Sequence, residues 1–114
     1  MAKYEVDYFE LSATSNDKST RFFADAFGWT FKNYGPEYDE IHGAEVIGGI
    51  NGDPNDRPAA PLIGIRTDDL PNAEKSVVAA GGVITRKPYD FPGGRRFYFR
   101  EPGGNEMMVY TLND

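Results

Sequence analysis

Cysteine is absent from the 114 residues of this chain. That excludes a disulfide framework, a thiolate metal site and covalent cysteine chemistry. Histidine is nearly absent too: His42 is the only one. No run approaches the roughly 20 apolar residues of a membrane span. The start of the chain, Met1-Ala2-Lys3-Tyr4-Glu5-Val6-Asp7, carries two acids and lacks the apolar stretch of a signal peptide. The expectation is a soluble, cytoplasmic protein with no membrane partner. Positive charge is also short, 12 Lys and Arg against 18 Asp and Glu, for a net −6. That balance weighs against nucleic acid, because neutralising phosphates needs a surplus of cations.

Familiar chemical signatures are missing as well. There is no Gly-x-Ser-x-Gly nucleophile turn and no phosphate loop. Gly48-Gly49-Ile50-Asn51-Gly52 is not a dinucleotide fingerprint, since no helix signal follows and Pro54 intervenes. Glycines in such a strand mark a bulge or a close approach of another chain segment. Arg95, Arg96 and Arg100 form a local basic cluster, read either as a solvated strand edge or as an anion site.

What is present is a pattern that occurs twice. Residues 4–11 alternate, with Phe9 and Leu11 on one face and Val6, Tyr8 and Glu10 on the other. After a polar loop, Phe22, Phe23, Ala26 and Phe27 follow helical spacing over residues 17–27, and Gly28 supplies the stop. Strands are predicted over 29–34, 38–42 and 44–50. Residues 51–61, rich in Pro, Gly, Asp and Asn, read as a linker. A strand over 62–67 follows. Asp68-Asp69-Leu70-Pro71 then opens a helix, with a carboxylate to cap free amides and proline suited to the first turn. Gly81-Gly82 ends it. A strand over 83–87, a loop over 88–94 and an aromatic hairpin turning at Pro102-Gly103-Gly104-Asn105 close the chain.

At a constant offset Phe9 falls on Ile63, Leu11 on Ile65, Phe23 on Val77, Ala26 on Ala80 and Gly28 on Gly82. The chain therefore reads as one α+β domain of two βαβββ modules, over about 4–52 and 62–112. A ferredoxin-like α+β domain with chance internal similarity is the alternative.

Several segments in order carry a resemblance. They are Tyr8-Phe9-Glu10-Leu11-Ser12-Ala13-Thr14, Phe22-Phe23-Ala24-Asp25-Ala26-Phe27-Gly28-Trp29, Asp68-Asp69-Leu70, Ala79-Ala80-Gly81-Gly82 and Phe99-Arg100-Glu101-Pro102-Gly103-Gly104-Asn105. Together they resemble the vicinal oxygen chelate superfamily of glyoxalase I, bleomycin-resistance proteins and extradiol dioxygenases. The resemblance covers nearly the whole chain. It implies a half-open, curled mixed sheet, with helices on the convex side and a ligand cavity on the concave side. It also implies a homodimer.

The resemblance further implies four metal ligands, mainly His and Glu, on the first and last strands of each module. Here those positions fall on Tyr8, on Leu62, on Met108 and near Ile47, Gly48 or Gly49. Leucine and glycine offer no donor, and thioether and neutral phenol are poor ones for hard divalent ions. The expectation is no metal and no cofactor. A substitute cluster of His42, Glu10 and Glu106 is arithmetically possible.

Strand alternation assigns Phe9, Leu11, Ile63, Ile65, Phe97, Phe99, Met107 and Val109 to the helix-facing core. The opposite face then carries Tyr8, Glu10, Leu62, Arg66, Arg96, Tyr98, Met108 and Tyr110, a mixture suited to a small organic ligand. With His42 these are the candidate ligand-binding residues, and Glu10 is the candidate catalytic acid or base. In the bland reading Glu10 pairs with Arg66 across the sheet and the tyrosines fill space. Trp29 reads as packing. Three functions compete: a metal-independent small-molecule binder, a lyase, isomerase or dioxygenase-like enzyme using Glu10 or a displaced metal, and a fold kept for association.

Overall fold

The computed structural model describes residues 3–113. Its elements run β1 (Glu5–Ser12), α1 (Asn16–Phe27), β2 (Thr30–Asn33), β3 (Tyr38–His42), β4 (Ile47–Asn51), β5 (Leu62–Arg66), α2 (Leu70–Ala79), β6 (Val83–Phe91), β7 (Gly94–Arg100) and β8 (Glu106–Leu112). Eight strands and two helices in this order are an α+β fold of two βαβββ modules. Among the described residues no helix is long and apolar enough to cross a membrane.

The first compact unit is Tyr8–Leu62. Its strands lie in the order β2-β3-β4-β1. β1 runs parallel to β4, with Tyr8 opposite Ile47 and Glu10 opposite Gly49. β3 is antiparallel to both β4 and β2. Helix α1 starts at Ser15, whose hydroxyl accepts from the Lys18 amide, and ends at Gly28, whose φ of 73° only glycine adopts at little cost. Its anchor is Phe23, stacked on Trp29 at 5.2 Å between ring centres. Both pack with Phe9, Leu11, Phe31 and Ala44 around buried Ala13, Ile41 and Ile50. Phe22 departs from the expected inner face: it is 59% exposed, and its neighbour Phe23 makes the core contact in its place.

The second unit is Ile63 onward together with the chain up to Asp7. The early segment is tied there by side chains: the Tyr110 hydroxyl donates to the Asp7 carboxylate, and Asn72 Nδ2 donates to the Tyr4 hydroxyl at 3.1 Å. The strand order is β5-β8-β7-β6, which repeats the first unit element for element. Asp69 caps α2 by accepting from the Asn72 amide at 3.1 Å, with Pro71 in the first turn. Leu70 and Ala73 of that helix bury against Phe97, Phe99 and Val109, flanked by Ile65, Val77, Ile84 and Met107. Ile63, expected in this core, is 44% exposed.

Two other expectations are corrected. The region read as a loop after Lys87 is strand through Phe91, because Tyr89, Asp90 and Phe91 pair with Arg96, Arg95 and Gly94. Pro88 is tolerated because β6 is the end strand of its order and the pairing slips between Arg86 and Tyr89. Residues 51–61 are not a bare linker. Asn51 and Asp53 accept from the Asp53 and Asn55 amides, and Arg57 Nη1 donates to the Ala13 carbonyl at 3.0 Å.

At the closing turn, Gly104 takes the positive φ of 102°. The Glu101 carboxylate accepts from the Gly103 amide at 2.5 Å, and from the Asn105 amide and side chain at 3.0 and 2.5 Å. Those hydrogen bonds, from Gly103 first and then Asn105, hold the Glu101 carboxyl below the ordinary range. A carboxyl depressed in the folded state stabilises above its unfolded value and loses that contribution as pH falls through the folded value. Glu101→Gln is therefore expected to lie below wild type in denaturant midpoint at pH 7. The gap closes as the pH is lowered through the carboxylate range, and a gap constant with pH would contradict this role.

Candidate functional site

Backbone pairing first decides which positions of the two modules correspond. In module one Glu10 stands opposite Gly49; in module two Gly64, its counterpart at the repeat offset, stands opposite Met108. Gly49 is thus the equivalent of Met108 in the pairing of the two modules.

Gly48 and Gly49 face opposite sides of β4, and each is glycine because an aromatic group lies over it. A β-carbon at Gly48 would meet the Phe9 ring at 2.5–2.8 Å, on the core side. A β-carbon at Gly49 would collide with the hydroxyls of Tyr8 and Tyr38, on the side away from α1. The glycine run is therefore a close approach on both faces, not a bulge.

With that space open, Tyr8 and Tyr38 hydrogen-bond to each other through their hydroxyls. Tyr38 also donates to Glu10 Oε1 at 3.1 Å. Since one phenolic proton goes to Glu10, Tyr38 accepts from Tyr8, and the order of donation runs Tyr8 to Tyr38 to Glu10. Glu10 itself is completely buried. Burial, then the charge of Glu10 and the adjacent Tyr8 phenol, pushes the Tyr38 hydroxyl well above the usual phenol range. Tyr38 thus stays a proton donor at any physiological pH. The result is an enclosed carboxylate served by a phenol relay, a combination able to take or return a proton.

The second unit gathers a different set. Arg96 Nε donates to the Tyr89 hydroxyl at 2.5 Å, and Nη1 lies 3.7 Å from the Met108 sulfur. The Arg96 guanidinium stands over the rings of Phe91, Tyr89 and Tyr98 at 5.1, 5.3 and 5.7 Å. Arg86 lies over Tyr89 at 4.0 Å and Tyr98 at 5.4 Å. Arg96, Tyr98 and Met108 were expected on one face and are brought together. Arg86, Tyr89 and Phe91 escape the sequence reading, two of them because they sit in the stretch read as a loop.

The remaining candidates scatter. Arg66 Nη1 is 3.9 Å from Asp7, the acid that also receives Tyr110, so Asp7 takes the part assigned to Glu10 as the partner of Arg66. Arg66 also borders an open polar depression of about 500 Å³, with Lys3, Glu5, Asp68 and Thr111 among its walls. It is the only candidate residue there, and the depression's walls hold little apolar surface to grip a ligand. His42 Nε2 bonds Glu40 at 2.7 Å, while Glu106 accepts from the Thr85 hydroxyl at 2.6 Å. Among the described residues no group of three His, Asp or Glu side chains is arranged to hold a metal ion, so the substitute cluster of His42, Glu10 and Glu106 does not form. Leu62 is buried at 2% exposure, as is Met108.

The paired modules and their strand order agree with a sequence match: the profile of the glyoxalase/bleomycin resistance protein/dioxygenase superfamily fits residues 5–109. The chain belongs to that superfamily. An uncharacterized protein of Mycolicibacterium smegmatis is 30% identical over 114 residues, covering 97% of each chain. Among solved folds, the Mn(II)-bound glyoxalase of Novosphingobium aromaticivorans superposes with a TM-score of 0.71 at 19% identity. The match takes in 97% of this chain and 40% of that one. Methylmalonyl-CoA epimerase of Mycobacterium tuberculosis gives 0.72 at 11% identity, over 96% and 88% of the two chains. At such identities the likeness is one of fold alone, and this scaffold serves unrelated chemistries.

The Gly49 packing gives a direct test. Gly49→Ala is expected to destabilise by about 1–3 kcal/mol, the range for an overpacked site. Because two hydroxyls and the Tyr38 Cζ form the obstruction, the same substitution placed in a Tyr8→Phe, Tyr38→Phe background, which removes the two hydroxyls, is expected to cost measurably less. Denaturant unfolding of the four proteins measures this; equal costs in both backgrounds would contradict the packing described.

Proposed function

We propose that this superfamily member works without a metal ion and binds a small organic molecule on the helix-free face of its strands. One observation carries the reading. The four positions at which the superfamily's metal enzymes supply ligands hold Tyr8, Gly49, Leu62 and Met108. The Tyr8 hydroxyl is engaged with Tyr38, Gly49 has no side chain, and Leu62 and Met108 are buried and apolar. No imidazole or carboxylate stands at any of them, and the chemistry of hard divalent ions is poorly served by what does. In their stead that face offers aromatic walls with a few oriented polar groups, the usual make-up of a small-molecule site. Arg96, Tyr98, Met108 and Tyr110 of the second unit are its proposed lining.

A second reading, a metal-free lyase or isomerase, is favoured by the burial of Glu10 and its hydrogen bond from Tyr38. In that reading Glu10 is the base that takes a proton from the substrate and returns it to the product, while Tyr38, fixed as a donor, holds the carboxylate in place. The two readings differ in turnover, which Glu10→Gln would abolish without abolishing binding.

The test is thermal melting of the whole chain, in buffer containing a chelator, against small organic compounds both neutral and charged. A ligand at about a hundred times its dissociation constant adds about 2.7 kcal/mol and moves the midpoint of a domain this size by several degrees. A saturable rise with the chelator present is the expected result. Midpoints unmoved by every compound would contradict the reading.

A further inference from the structure

Helix α1 carries an exposed aromatic face that the fold does not need. We infer that this face pairs with the same face of a second copy of the chain, the two α1 helices lying antiparallel across a two-fold axis beside Phe22. It is no part of the ligand lining proposed above.

The two modules together show which rings the scaffold requires. Phe23 packs against the first core as Val77 packs against the second, so that position serves the fold. At the same repeat offset Phe22 falls on Ser76 and Phe27 on Gly81, and the second module folds with no aromatic ring at either place. No residue of α1 is buried, whereas α2 buries Leu70 and Ala73. Phe22 and Phe27 are 59% and 62% exposed. Their ring centres lie 6.4 Å apart and both adjoin the Phe23 ring, so they form one continuous patch. Apolar residues scattered singly over a surface are ordinary. Adjoining exposed aromatic rings are the make-up of an association surface.

Charge identifies the occupant. Lys18, Phe22 and Asp25 are spaced i, i+4, i+7 and share one stripe of the helix. A two-fold axis beside Phe22 sets the residue four positions before it opposite those three and four positions after it. Lys18 of one copy then meets Asp25 of the other, and symmetry makes the contact twice. Within one chain the two charges run against the helix dipole, with Lys18 in the first turn and Asp25 in the last. Neither has an ion-pair partner among the described residues. In an antiparallel pair the start of one helix lies beside the end of the other, so both charges gain a partner and a favourable dipole. A purely acidic or purely basic surface would complement one of them; a second copy of this helix complements both. The helix has 12 residues and is about 18 Å long, a small contact, so the pairing is reversible and weak.

The test is sedimentation equilibrium of the purified chain, loaded from low micromolar concentration up to about 1 mM. Wild type is expected to dimerise reversibly within that range. Phe22→Ser, which installs the second module's own residue at an exposed position, is expected to weaken the dimer at least about tenfold. Lys18→Glu and Asp25→Lys each set like charges face to face, twice per dimer, and are each expected to weaken it about threefold, more at low salt. The double exchange Lys18→Glu, Asp25→Lys brings opposite charges together again and is expected to recover wild-type association. Each exchange also improves the match to the helix dipole, so a weakened dimer is not the result of a melted α1. A monomer at every concentration would overturn the inference, as would a dimer that Phe22→Ser leaves unchanged. A double exchange no better than the single ones would overturn the antiparallel arrangement.

Discussion

The hydroxyls of Tyr8 and Tyr38 meet in the space that a β-carbon at position 49 would occupy, and the chemistry of the first module is built around that meeting. With the space open, β3 can send a phenol across β4 to a carboxylate on β1. Glu10 is then held with a hydrogen-bond donor at full burial, where an unsatisfied carboxylate would cost several kcal/mol, on the order of the penalties seen for buried charges. In the function proposed above, the same glycine stands where the superfamily's metal enzymes would carry a ligand, so one residue bears on both features.

The duplicated scaffold puts unlike chemistry at like positions. Where module one has Tyr8, Glu10 and Gly49, module two has Leu62, Gly64 and Met108. The first set makes a phenol–carboxylate chain. The second has no acid, and beside it Arg86 and Arg96 stand over the rings of Tyr89 and Tyr98. The cores are close analogues by contrast, each an apolar layer under one helix. Backbone hydrogen bonding and core burial tolerate only apolar residues on the inner face, whereas the outer face is constrained only by what it touches.

That division explains what could be read from the sequence. The order of elements, the helix stop at Gly28 and the Asp69 cap are local, set by turn chemistry and periodicity, and they were legible. So was the side of the strand on which Tyr8, Glu10, Arg96, Tyr98 and Met108 lie, because alternation has a fixed period. Ile63 was misread because alternation gives the side and not the depth. The end of β6 was misread because Pro88 signals a loop locally, while pairing of Tyr89 with Arg96 is decided across strands. Tyr38 and Asp7 were missed for a related cause: their partners lie about 30 and 100 residues away along the chain, a separation that side-chain periodicity does not encode. The Gly48-Gly49 pair was the available clue, since adjacent glycines in a strand announce close approach on both faces.

The central claim is that this chain has exchanged the metal-ligand positions of its superfamily for phenol, thioether and apolar groups. Its most direct test is equilibrium dialysis of the purified protein against Mn(II), Ni(II), Zn(II) and Fe(II), read by elemental analysis per chain. The account predicts less metal than one ion per chain at micromolar concentrations, with no dependence on Glu10. One tightly held ion per chain, lost in Glu10→Gln, would contradict it.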